Sequence, residues 1–215
     1  MERLKSLDPP HKGLRNALSK FALLAGNTNY KDAQEVSELQ AIGKEVFHLL
    51  HDHTQTEEYF ILKPLEEKVP GSSLHDTTDH EALDKIENEL ESMLMSFDGN
   101  QTDEQGHEFY LKLTEFQGIY LQHIAHEDRV TEVLMQEHFT DAELINHQIQ
   151  IMQVMDFNTL LLWFKYIVPA RRTEENRQVL TAFKANAPEA AFQAVAEVIR
   201  KELSEAAFQK LMQDL

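Results

Sequence analysis

The sequence predicts an all-α fold: an up-down-up-down four-helix bundle followed by additional C-terminal helices. Three observations support this class. Apolar residues recur at spacings of three and four along most of the chain, and the few glycines and prolines, 7 and 6 of 215 residues, fall between these periodic segments. No alternating run rich in valine, isoleucine and threonine indicates a strand. The length is ample for a buried core.

The first two helices are bounded by residues that commonly begin or end helices. The first follows the Pro9–Pro10 pair, a favourable helix start, and ends at Gly26–Asn27. The second runs from about residue 32 to residue 67, and Pro64 shortens or bends it near its end. Both show an apolar face at helical spacing, which predicts two amphipathic helices packed on a common core.

Helices three and four follow the same pattern. The third starts near Ser73 or Asp76, both of which suit an N-cap, and stops at Gly99–Asn100. The fourth begins near Asp103 and keeps one apolar stripe as far as Leu134. Because the connections are only a few residues long, successive helices are expected to lie antiparallel to one another, as in a four-helix bundle.

A second helical region follows the bundle. The segment Thr140–Glu143 has a capping-box sequence that opens a fifth helix, and shorter helical segments continue to the C-terminus. We therefore predict that residues 1–138 form the four-helix bundle with the site described below. Residues 139–215 are predicted to form a C-terminal helical extension, packed on the bundle or at the interface of a homodimer.

The composition excludes several classes of function. The chain has 20 basic and 37 acidic side chains and a net charge of −17, so no nucleic-acid or membrane partner is expected. The absence of cysteine excludes disulfides, thiolate zinc sites and iron–sulfur clusters. No leader sequence is visible, and the most apolar run, 158–170, is shorter than the ~20 residues of a spanning helix. These features predict a cytoplasmic protein.

Two of the apolar stripes contain polar residues. In helix two the stripe passes through His53 and Glu57, and in helix four through His123 and Glu127. Residues four apart lie above one another on the same face of a helix, so each pair can direct two donor atoms at one point. The spacing therefore predicts a histidine and a glutamate facing the core from each of these helices.

The other two helices each add one histidine to the core face. His11 lies three residues before Leu14, and His80 lies three residues before Leu83. In an antiparallel bundle, early positions on odd helices and late positions on even helices share one end. The lengths back to the opposite end are roughly 20–30 Å for all four helices at 1.5 Å per residue. All six side chains are therefore expected in one layer.

Burying so many ionisable groups without a counter-charge would cost several kcal/mol per ion, at order of magnitude. A pair of divalent ions would satisfy them, with imidazoles as terminal ligands and carboxylates as bridges. This donor set suits iron, manganese or zinc. Two other readings stay open: a metal-free helical interaction protein, and a carboxylate di-iron oxidase built from Glu45-x-x-His48 and Glu104-x-x-His107.

The order and spacing of these residues resemble the hemerythrin-like family, also called the HHE cation-binding domain. The resemblance spans about residues 8–138 and is strongest in HTQTEEYFILKPL, from His53, and HIAHEDRVTEVL, from His123. It implies a four-helix bundle with a non-haem, oxo- or hydroxo-bridged pair of iron ions that binds dioxygen. Members of the family are implicated in oxygen, nitric oxide, redox or iron sensing. The ligands that the resemblance implies are His11, His53, Glu57, His80, His123 and Glu127.

The sequence departs from the oxygen carriers of this family at two points. Carriers have two histidines four apart on helix three, whereas Asp76 stands four residues before His80. The loss of this histidine leaves an open coordination position, an oxygen ligand or a water, and the alternative role for Asp76 is that of an N-cap. Carriers also use His-x-x-x-x-Asp on helix four, and Asp128 has that spacing from His123, although Glu127 lies better on the stripe.

The expected function is binding of dioxygen or a related small oxidant by two iron ions, with manganese or zinc as substitutes. The resemblance and the departures together favour sensing, storage or a redox or iron response over transport. A binding protein is expected rather than an enzyme.

Overall fold

The computed structural model describes residues 3–213 and 215. Within this part of the chain the backbone is helical and contains no strand, which confirms the predicted all-α class. In chain order the helices are α1 Asp8–Asn27, α2 Ala33–Glu57, α3 Lys63–Lys68, α4 Leu74–Met95, α5 Asp103–Arg129, α6 Thr131–His138, α7 Asp141–Val154, α8 Phe157–Ile167, α9 Thr173–Asn186, α10 Glu189–Glu202 and α11 Glu205–Met212. None of these helices is both long and apolar enough to cross a membrane.

The contacts divide the described residues into two units. The first contains residues 3–8 and 17–154, and the second contains residues 9–16 and the described residues from Met155 onward. Helix α1 is continuous, and its first turns are grouped with the second unit.

In the first unit, α4 packs against both α2 and α5. The α1 residue Phe21 contacts Phe47 of α2, with ring centroids 5.6 Å apart, and Phe109 of α5 at 6.2 Å. All three rings are buried. Residues from α1, α2, α4 and α5 therefore share apolar contacts, and these are the four helices that carry the polar residues singled out in the sequence.

The second helix is interrupted just before Pro64, the residue that was predicted to shorten or bend it. Helix α2 ends at Glu57, a π-helical turn covers Glu58–Leu62, and α3 begins at Lys63. Proline at position 64 has no N–H and its ring clashes with an α-helical carbonyl one turn earlier. The wider π turn, in which the Lys63 N–H donates to the Glu58 carbonyl, changes the hydrogen-bond register just before the proline.

The fourth helix also ends earlier than predicted. Helix α5 stops at Arg129, and Val130, with φ −115° and ψ −61°, separates it from α6. Val130 is 41% exposed instead of lying on the core stripe. The break allows Met135 of α6 to join a buried cluster. The other members of that cluster are Leu7, Ile61, Leu65, Phe139 and Leu144.

The second unit has its own apolar core. Its helix α8 packs against α10, and α9 packs against α11. The Asn176 side-chain amide, buried near the start of α9, donates to the Val168 carbonyl at 2.8 Å and holds the turn that follows α8. The buried core residues are Phe164, Val168, Leu180, Val195, Ile199 and Leu211.

Two glycines with left-handed backbone angles form a matched pair for testing the fold. Gly99 has φ +87°, and a Cβ there would lie 2.6 Å from the Ala33 Cα, whereas Gly71 has φ +88° and a Cβ would meet no described atom within 4 Å. We expect Gly71→Ala to lower the unfolding free energy by about 1 kcal/mol through backbone strain alone. Gly99→Ala should lower it by about 3 kcal/mol, because the close approach to α2 must also open. Urea denaturation of both variants tests this, and equal losses would contradict it.

Candidate metal centre

Helices α2 and α5 each place a histidine and a glutamate together in the core. His53 Nε2 lies 3.2 Å from Glu57 Oε2, and His123 Nε2 lies 3.0 Å from Glu127 Oε1. Both pairs are four residues apart, so the helical repeat alone brings each imidazole next to its carboxylate. All four residues are at most 3% exposed.

His80 of α4 lies between the two glutamates. Its Nε2 atom is 3.4 Å from Glu127 Oε1 and 3.8 Å from Glu57 Oε2. Its ring also meets that of His123 edge to face, with centroids 4.8 Å apart. His80 thus brings a third helix to the carboxylates of α2 and α5.

The donor atoms fall into two groups that share one glutamate. The first group contains His53, Glu57 and Glu127, and the second contains His80, His123 and Glu127. Within each group the ligand atoms lie within 4.8 Å of one another. The six ligands predicted from the sequence are all buried, and His11, in the part of α1 that is grouped with the second unit, and Glu127 have no exposed surface. These buried His/Glu groups could hold metal ions.

Several of these atoms lack hydrogen bonds. Among the described residues, neither carboxylate oxygen of Glu57 has a hydrogen-bond partner, and the same is true of Nε2 in His80 and in His123. A buried polar atom left in this state costs on the order of 1–3 kcal/mol. Buried acceptors that converge without donors are what a cation site requires, so these residues fit a metal.

The electrostatics of the cluster agree with this fit. Burial raises the pKa of Glu57 well above its usual range, and the charges of Glu127 and Asp76 raise it further. Burial lowers the pKa of His80, but the interactions with Glu127 and then Glu58 outweigh it, so the net shift is upward. The protein without metal therefore favours protons at these sites, where metal binding would remove them.

Carboxylates also face the outer nitrogens of two histidines. His80 Nδ1 is hydrogen-bonded to Glu58 Oε1 at 3.1 Å, and His123 Nδ1 lies 3.4 Å from Asp79 Oδ2, within ion-pair range. A histidine whose Nδ1–H donates to a carboxylate presents the Nε2 lone pair to a metal. Glu57 is the last residue of α2 and Glu58 the first residue of the π turn. These neighbouring glutamates face different nitrogens of His80: Glu57 faces Nε2, and Glu58 faces Nδ1.

The structure excludes one of the expected roles of Asp76, that of N-cap, and the role of oxygen ligand stays a prediction. The residue before α4 is Ser73, and Asp76 is not its N-cap. The Asp76 carboxylate is 1% exposed, accepts a hydrogen bond from Thr131 Oγ1 at 2.5 Å, and belongs to a third group of potential ligands with His75 and His126. The group joins α4 to α5, so spacing along one helix could not reveal it.

Tyr120 packs against the cluster. It is one turn before His123, with ring centroids 6.0 Å apart, and its hydroxyl is buried without a hydrogen-bond partner among the described residues. Burial raises its pKa well above 10, and the charges of Glu127 and Glu57 add to the effect. The phenol beside the cluster is therefore neutral.

The residues of the oxidase alternative do not meet. His48, Glu104 and His107 are exposed, and Glu45 is half-buried. None of them belongs to a potential ligand group among the described residues. The structure therefore gives no support to that arrangement.

No family model matches this chain, and comparison with curated proteins and with solved structures also finds no match.

Glu87 lies two turns after His80 and allows a test of the electrostatics of this core. Burial raises its pKa to about 8, and Asp84 and Glu91 contribute. A carboxyl group with a raised pKa stabilises the fold when protonated, and this contribution falls as the pH rises from about 4.5 towards 8.

We therefore expect Glu87→Gln to become increasingly stabilising relative to the wild type over that range, by up to about 1.4 kcal/mol per pH unit. Urea denaturation at pH 5, 6, 7 and 8 measures the difference. Glu89→Gln, at an exposed position of the same helix, is the control and should show no such trend. A difference that does not change with pH would contradict the raised pKa.

Proposed function

We propose that this chain is a non-haem di-iron protein of the hemerythrin-like class that binds dioxygen or a related small oxidant. The observation that carries the proposal is the presence of Glu127 in both groups of buried donors. A carboxylate shared by two sets of imidazoles is the arrangement expected of a bridging ligand between two metal ions. The proposal includes a four-helix bundle formed by α1, α2, α4 and α5.

In this assignment His11 and His53 are terminal ligands of one ion, and His80 and His123 of the other. Glu57 and Glu127 bridge the two ions. The distances of 3.2 Å to His53 and 3.8 Å to His80 from the same Glu57 oxygen support a bridging position for this carboxylate as well. Imidazole and carboxylate are suitable ligands for iron and manganese, and also for zinc.

The donor count favours binding of a small molecule. Two imidazoles and one oxygen from each bridging carboxylate give each ion four protein donors, which leaves coordination positions open on iron. Asp76, which stands where the carriers have a histidine, is held by Thr131 and adds no nitrogen. A site with relatively few nitrogens and more carboxylate favours a change of oxidation state over stable reversible carriage, so we propose sensing or a redox or iron response as the role.

The first test is metal content. After aerobic expression with iron, we expect two irons per chain and a ligand-to-metal charge-transfer band in the near ultraviolet. Glu57→Ala combined with Glu127→Ala should abolish binding, because both bridges are lost. A second variant, Glu57→Gln with Glu127→Gln, serves if the alanine variant folds poorly. It removes both charges with little change in side-chain volume and should reduce iron binding strongly.

Glu45→Ala with Glu104→Ala is the matched control, which should keep both irons. Less than half an equivalent of any transition metal in the wild type would refute the proposal. Spectra of the reduced protein before and after addition of oxygen distinguish the roles. Irreversible oxidation is expected for a sensor, whereas reversible bleaching would indicate a carrier instead.

The hydrogen bond to His80 provides a second test. Glu58→Gln keeps the size of the side chain but removes the charge that orients the His80 ring. We expect iron affinity to fall about 10- to 100-fold, as for other residues that support metal ligands. Competition with a chelator measures the affinity, and Glu67→Gln, an exposed neighbour on α3, is the control. Unchanged affinity in Glu58→Gln would show that Glu58 does not support the ligand.

A further inference from the structure

A third group of metal-binding side chains lies at the surface of the first unit. His75 Nδ1 is 3.3 Å from Asp76 Oδ1, and His126 Nε2 is 3.8 Å from the same oxygen. The two imidazole rings stack with centroids 3.9 Å apart. Two nitrogens and one carboxylate thus converge at the junction of α4 and α5.

The chemistry of this group suits a borderline divalent ion. Imidazole and carboxylate together bind iron, cobalt, nickel and zinc, and with three protein donors water can complete the coordination. Asp76 is 1% exposed and is fixed by the hydrogen bond from Thr131, so its carboxylate is positioned before a metal arrives.

The two histidines are accessible, unlike those of the buried groups. The side chains of His75 and His126 are 55% and 33% exposed, against 2–4% for His53, His80 and His123. A hydrated ion can reach the surface group directly. It cannot reach the buried donors without passing through protein.

The surface group is also next to the buried one along both helices. Asp76 precedes His80 by four residues on α4, and His126 lies between His123 and Glu127 on α5. Four helical residues span about 6 Å. The charge of Asp76 contributes to the field at Glu57, which places the two groups within electrostatic reach of each other.

We propose that His75, Asp76 and His126 bind one divalent transition-metal ion at the surface and that the buried cluster is loaded from this site. The loading role rests on the proposed function, whereas the surface site is defined by its own residues. The ion exchanges water for the surface donors first and then moves about one helical turn inward, where the buried carboxylates bind it.

Binding at the surface site is tested without the buried cluster. In the Glu57→Gln, Glu127→Gln background we expect calorimetry with Ni²⁺ to show one equivalent bound. Adding His75→Gln with His126→Gln should remove this binding. Adding His48→Gln with His107→Gln, which alters two other exposed histidines, should leave it unchanged. Ni²⁺ binding that survives His75→Gln with His126→Gln, or no binding in the parent, would overturn the site.

The loading role is tested in the chain with intact buried ligands, using Co²⁺ and its visible absorption. In limiting Co²⁺ the wild type should fill the buried cluster at least ten times faster than His75→Gln with His126→Gln. In excess metal both proteins should fill the buried cluster to the same extent, and the variant should bind one ion fewer in total because its surface site is lost. Equal rates would overturn the loading role, and incomplete filling of the buried cluster in the variant would identify the two histidines as ligands of that cluster instead. If the wild type binds Ni²⁺ at the surface but never fills the cluster, the di-iron function and the loading role both fail, whereas the surface site stands.

Discussion

Two carboxylates buried beside each other, Glu57 and Glu127, impose the strongest physical constraint in this protein. Both are at most 2% exposed, and their mutual charge and loss of water raise the pKa of Glu57. An apolar interior tolerates such a pair only when protons or cations neutralise it. The inner nitrogens of His53, His80 and His123 lie 3.0–3.8 Å from oxygens of the same two carboxylates. The core is thus built around a counter-charge, and two divalent ions would supply it.

Two helix interruptions lie next to these glutamates. The α2 segment is regular through Glu57 and changes to a π turn at Glu58, which accommodates Pro64 six residues later. Glu57 faces the core and Glu58 faces the outer nitrogen of His80, so the site uses two consecutive glutamates in different ways. The break at Val130 ends α5 three residues after Glu127 and begins α6, from which Thr131 fixes Asp76. Both helix interruptions therefore lie within a turn of a buried glutamate.

The histidines of one small region differ in their exposure. His53, His80 and His123 are buried, whereas His75 and His126 are accessible. Under the proposed function the buried histidines would hold metal away from water, and Glu58 and Asp79 would orient two of them from outside. The high negative charge of the chain, −17, also favours the approach of cations over anions. Imidazole and carboxylate groups would then bind the metal ion first at the surface, where they are exposed to water, and afterwards in the interior, where they are buried.

Sequence alone determined the helical class and which side chains face the core, because both follow from spacing along single helices. The pairs His53/Glu57 and His123/Glu127 could be predicted for that reason. Contacts between helices were out of reach. Two such contacts join α4 to α5: Asp79 approaches His123, and His75 and Asp76 meet His126. Periodicity along one helix does not determine how two helices are rotated relative to each other where they pack. The same limit left the role of Asp76 open. The sequence predicted that Pro64 shortens or bends the second helix but not the π turn at Glu58–Leu62, and it missed the end of α5 at Arg129. A π turn or a break is set by packing against other segments, which only the tertiary structure contains.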